Sequence, residues 1–215
     1  DAADGHTLGN LYPCDVYESN VNYKSGTARC RSIYGGNNSY RRTLYTHVNI
    51  HTPVRYVHRT YGLTHANIFG AGYGENSEVW GSTTINLYNG YNFLIFGGGE
   101  KGVVGKKNGE GNYVYNSAYS TTINLNGTNP GTEAGGDGIP AAEYIYAGGF
   151  EGLVAGDTKM NLGNGRVNAS FGGACNADIL GHSETYVGKG GGFPYVVEDV
   201  YGANDLGGSI RSAVD

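Results

Sequence analysis

The chemistry-bearing side chains of this 215-residue chain crowd into one stretch. Residues 51–65 read His-Thr-Pro-Val-Arg-Tyr-Val-His-Arg-Thr-Tyr-Gly-Leu-Thr-His, with three histidines among two arginines and two tyrosines. Imidazole exchanges protons near neutral pH, and guanidinium grips a carboxylate through two parallel hydrogen bonds. An enzyme acting on an acidic sugar chain would need such groups beside a pair of carboxylates or a metal in a groove. No Asp/Glu pair on successive strands faces these residues. The stretch is therefore read as a basic, aromatic binding or packing loop, its binding candidates being Arg55, Tyr56, His58, Arg59 and Tyr61, with no catalytic residue assigned.

Two further motifs invite chemistry and then lose it. Gly97-Gly98-Gly99-Glu100-Lys101-Gly102 fits the G-x-G-x-x-G pattern, but dinucleotide binding also requires a helix to open there. Val103-Val104-Gly105-Lys106-Lys107-Asn108 follows and has no helical pattern, so the glycines read as a backbone corner. Gly135-Gly136-Asp137-Gly138-Ile139 is similar to a calcium-binding turn, yet such turns act by repeating every nine residues and this one stands alone. Neither a metal nor a cofactor is expected. Cys14 and Cys30 bracket the region before the repeats. Bridged, they would close a loop of about 15 residues, worth about 3 kcal/mol; the alternative is a pair of buried thiols. Cys175 is left over.

The elements that position these residues repeat. An aromatic followed by Gly-Gly or Gly-Ala (or Ala-Gly) recurs at Tyr34, Phe69, Phe96, Tyr146, Phe171 and Tyr201. A strand signature, Thr-x-x-Asn-aliphatic, recurs at residues 46–50, 83–87, 121–125 and 158–162, with a degenerate copy at 183–187. A period of two puts Val48, Ile85, Ile123 and Met160 on one face and Asn49, Asn86, Asn124 and Asn161 on the other. The shortest full coil is 25 residues. Surplus residues fall near 52–65, 106–118, 127–141 and 188–195, as loops at the corners of a coil would. The spacing predicts an all-β, single-domain right-handed parallel β-helix (solenoid) of about six coils, because a repeat this short buries its apolar face only against its neighbours. A β-propeller is the alternative. Residues 1–32 form an N-terminal lead-in or cap, and 33–215 the repeats, the last coil being incomplete. The four asparagines form a stacked ladder that stabilises the coils. Of the two columns at each corner, the aliphatics Ile33, Ile68, Ile95, Ile145 and Val200 are expected inside and the aromatics outside.

Charge and composition bound the partners. Net charge is −5, which argues against nucleic acid. Residues 1–65 carry seven Lys/Arg against four Asp/Glu, and the remainder seven against fifteen, so one end is basic and the other acidic. No apolar run is long enough to span a bilayer. The chain begins at Asp1 without Met or a signal-peptide pattern and reads as a mature or trimmed product.

The repeat resembles the Gly-rich repeats of bacterial cell-surface, adhesin-like proteins, over about residues 33–210. Tyr146 to Leu162 is the copy that carries the resemblance best. The resemblance implies an extracellular, cell-surface location and a structural, adhesive or glycan-binding role, with no catalytic motif to carry over. Expected partners are a second copy joined head to tail or the rest of a longer parent chain, and glycans or a host surface. A β-helix carbohydrate-active enzyme, lyase or glycosidase-like, is the alternative function.

Overall fold

The computed structural model describes residues 15–24, 27–58, 60, 62–129 and 136–211. Apart from one short 3-10 turn at Lys189–Gly191, every described element is a β-strand. One parallel sheet runs β1 (Val16–Tyr23), β3 (Arg42–Ile50), β8 (Thr83–Leu87), β11 (Thr121–Leu125), β13 (Thr158–Leu162) and β15 (Ser183–Val187). The short strands β7 (Glu78–Val79) and β10 (Val103–Val104) extend it beside the start of β3. The other parallel sheet runs β2 (Ser32–Tyr34), β6 (Asn67–Phe69), β9 (Gly90–Phe96), β12 (Pro140–Tyr146) and β14 (Gly165–Phe171). On β14 sit β16 (Pro194–Val196) and β17 (Val200–Tyr201). Outside both sheets, β4 (Arg55–His58) and β5 (Gly62–His65) form an antiparallel hairpin. The chain alternates between the two sheets at every pass. A propeller blade is built of antiparallel strands, so the parallel pairing of both sheets removes that alternative.

Side-chain columns explain the pairing. Val48, Ile85, Ile123 and Met160 lie in register on neighbouring strands and are fully buried. Ile50, Leu87, Leu125 and Leu162 repeat the arrangement two residues on, facing Ile33, Ile68, Ile95 and Ile145 of the other sheet across one core. Burying each such side chain stabilises the fold by about 1.5–3 kcal/mol. The segment before the repeats joins this scheme: β1 pairs with β3, bringing Ser19 opposite Thr46 and Asn22 opposite Asn49. A third column runs along one corner, Val104 bridging Val154, Val154 bridging Ile179, and Ile179 bridging Ile210. With Val79, Ala71, Ala155 and Ala174 it makes a second small core.

The aromatic column lies on the outer face of its sheet, as alternation with the buried isoleucines requires. Tyr34, Phe69, Phe96, Tyr146, Phe171 and Tyr201 stack with centroids 4.8–4.9 Å apart and planes within 10° of parallel. That is the inter-strand spacing, so the sheet sets the ring separation. The residue after each of the first three rings passes close to the next turn: a Cβ on Gly97 would lie 2.1 Å from the Ala147 carbonyl oxygen, and one on Gly70 equally close to that of Gly97. Glycine there lets successive corners nest.

An aromatic cleft as candidate functional site

A cleft of about 980 Å³ opens on the outer face of the second sheet, between the hairpin and the glycine corners. The sheet supplies its floor through Ser32, Tyr34, Asn67, Phe69, Leu94 and Phe96. Strand β9 gives it an extra ring. Two residues, Phe93 and Leu94, lie between the buried Asn92 and Ile95 where strict alternation allows one, and both line the cleft. The register skips Phe93, passing from Asn92 opposite Ala142 to Leu94 opposite Tyr144.

One wall is the hairpin, and a buried amide fixes its foot. Asn92 is fully buried, and its Oδ1 accepts the Val54 N–H at 3.1 Å. Ala66 N–H then donates to the Val54 carbonyl at 2.8 Å, closing the hairpin base. From β5 the cleft takes Thr64 and His65. The opposite wall is a column of its own. Asn38, Tyr73, Glu100 and Phe150 each stand four residues after a ring of the aromatic stack, so successive corners set them side by side.

Phe69 and Phe96 cannot offer their faces, because a neighbouring ring covers each face and both side chains are almost fully buried. Exposed ring surface comes from Phe93 (45% exposed) and Tyr73 (48% exposed), the latter edge-on to Tyr34 at 5.7 Å. Phe150 meets Phe96 edge-on at 5.6 Å. The polar groups are held in defined states. The Tyr34 hydroxyl donates to Glu100 Oε2. Burial and that bond push the phenol far above the usual tyrosine range, so it stays a donor and pins the carboxylate to the wall. Burial, and after it the Arg55 charge, lower the His65 imidazole below its ordinary value. His65 is therefore neutral at pH 7, able to donate through one nitrogen and accept through the other. It stands edge-on to Tyr91 at 4.7 Å. Arg31 is the exposed cation of the rim.

The residues singled out from the sequence fall in several places. Arg55 is half-buried at the foot of β4, paired across the hairpin with His65. Tyr56 and His58 hold backbone positions on β4 opposite Thr64 and Gly62; their side chains, and Arg59 and Tyr61 altogether, lie outside the described residues. His51 is elsewhere, stacked on Tyr88 at 4.6 Å. Arg31, Tyr73, Phe93, Glu100 and Phe150 escape sequence reasoning, although the fixed offset of four from each ring is a signal for three of them.

The asparagines build a continuous ladder on the first sheet's outer face. Asn49 donates to Asn22 at 3.1 Å, Asn86 to Asn49 at 2.9 Å, Asn124 to Asn86 at 2.9 Å and Asn161 to Asn124 at 2.6 Å. Every amide points its Nδ2 at the preceding turn. Cys14 lies outside the described residues, and with it the bridge to Cys30; the Cys30 thiol packs half-buried against the main core. The glycine turn at 136–138 holds Asp137, and among the described residues no group of three His, Cys, Asp or Glu gathers as a metal site would need. Comparison with protein-family models, with curated proteins and with solved structures returns no match.

Proposed function

We propose that the chain is a right-handed parallel β-helix of about six coils that works at the bacterial cell surface as an adhesive module, gripping an oligosaccharide in the aromatic cleft. Two parallel sheets visited alternately support the β-helix, and the general handedness of crossovers between parallel strands supports the right-handed form. The observation that carries the binding role is the pairing of exposed ring surface with unionised polar groups in one concavity. Phe93 and Tyr73 offer apolar faces to the C–H face of a pyranose, while Thr64, Asn67, Asn38 and neutral His65 meet its hydroxyls. A site of about 980 Å³ lies at the upper end of ligand pockets, which run to roughly 1,000 Å³, and suits several linked sugars rather than one. The resemblance to adhesin-like repeats points the same way.

The test is retention on immobilised neutral and acidic polysaccharides. Phe93→Ala and Tyr73→Ala should each weaken binding about tenfold, equivalent to about 1.4 kcal/mol. Wild-type retention on no glycan, or variants that bind as wild type does, would defeat the reading.

One observation favours a second reading. Glu100, His65 and Arg31 line the same cleft, the convergence of acid, base and cation that a polysaccharide-cleaving enzyme would use. Release of new chain ends from an acidic polysaccharide, abolished by His65→Ala, would decide for it.

A further inference from the structure

We propose that the last turn of the stack is a docking face for the first turn of a second copy, so that chains join head to tail. This goes beyond the cleft, with which it shares the first-turn strand β2 and the charge of Arg31. Among the described residues both sheets end here in edges: β15 pairs only with β13, and β16 and β17 only with β14. An edge of this kind presents a row of unpaired backbone donors and acceptors. The side-chain columns stop with it, still apolar. Val187 is 57% exposed where Leu162, one turn earlier in the same register, is fully buried. Tyr201 is 46% exposed at the open end of the ring stack, against 8% for Phe171 beneath it. Phe193 and Leu206 project from the same turn at 70% and 76%. The Asn161 Oδ1, buried in the ladder, has no donor because Tyr186 occupies the next position.

What fits such a face is narrowly constrained. The occupant must present two parallel edge strands at once, set at the separation of these two sheets and running in the same direction. The chain's own first turn does this: among the described residues β1 pairs only with β3, and β2 only with β6. Charge agrees. Exposed Glu184, Glu198, Asp199 and Asp205 outnumber Lys189 and Arg211 around the last turn, and exposed Lys24, Arg29, Arg31 and Arg41 outnumber Glu18 around the first. A two-fold pairing of last turn with last turn would set acid against acid and strands antiparallel. A head-to-tail contact is heterologous and need not close, so it propagates.

The register makes the test specific. Asn22 and Tyr186 occupy the same ladder column at its two ends and both are exposed. Across the joint they would sit one strand spacing apart, about 4.8 Å, within the range a disulfide spans. Mild oxidation of an equal mixture of Asn22→Cys and Tyr186→Cys chains should give a covalent dimer, while each variant alone gives no more than the wild-type chain does. Sedimentation of the wild-type chain should show larger species growing with concentration, and Val187→Lys with Val200→Lys should return it to monomer with unchanged circular dichroism. Asn20→Cys with Glu184→Cys, one column over, repeats the cross-link if Asn22→Cys proves unstable. A Tyr186→Cys homodimer would mean tail-to-tail pairing and overturn the proposal. A wild-type chain that stays monomeric and a mixture that fails to cross-link would overturn it as well.

Discussion

Each Thr of the Thr-x-x-Asn strands ties its own turn to the next. The buried hydroxyls of Thr46, Thr83, Thr121 and Thr158 donate to the carbonyls of Gly70, Gly97, Ala147 and Gly172 at 2.5–2.7 Å. Thr121→Val keeps the shape and loses the bond, and should cost about 1 kcal/mol in chemical denaturation. Gly97→Ala pushes a methyl into the same Ala147 oxygen and should cost more, about 3 kcal/mol. Equal losses would mean that the corners do not nest as described. His65 sets a pH dependence. Its folded pKa lies below the ordinary value near 6.5, so the unfolded chain binds more protons as pH falls through that value. Stability contributed by the neutral imidazole is complete above about pH 6.5 and declines as pH falls toward the folded pKa. The measurement is therefore the difference between wild type and His65→Gln, which should narrow as pH is lowered from 7 to about 5. At this scale the sequence is legible wherever a column demands one residue type. The asparagine series was found that way, yet its first member was missed: Ser19-Asn20-Val21-Asn22 carries Ser at the Thr position, and serine meets the same geometric demand.

Strands announce themselves when they are long enough to show a period. The Thr-x-x-Asn strands span five residues and could be placed; the corner column of Val79, Val104, Val154, Ile179 and Ile210 has one or two paired residues per turn and could not. Insertions are visible as surplus length, but not what they build. Residues 52–65 prove to be a hairpin standing between two fully buried residues, Val54 and Ala66, which keep the stack continuous beneath it. Replacing 55–65 by a two-residue Asn-Gly turn should leave the melting transition cooperative and within a few degrees of wild type. It should also abolish glycan retention, because the cleft loses the Thr64 and His65 wall. An unfolded product would show that the hairpin supports the core; undiminished retention would show that it plays no part in binding.

The cleft is a property of the whole molecule. Its floor comes from three strands of the second sheet, one wall from a hairpin inserted between the first two of the stacked rings, and the other from four successive corners. No window of sequence holds more than a few of these residues, which explains why motif reading fixed on 51–65 and passed over Glu100 inside a glycine run. Stacking converts a periodic sequence into a surface, and the offset of four residues from each ring becomes a wall only once the turns are superposed. The most direct test follows the backbone amides of isotope-labelled chain by NMR during titration with a glycan that the protein retains. The account predicts shifts that saturate together and cluster on Ser32, Asn38, Thr64, His65, Asn67, Tyr73, Phe93 and Glu100, leaving the asparagine ladder unmoved. Saturable shifts centred on Asn49, Asn86, Asn124 and Asn161, with the cleft silent, would contradict it.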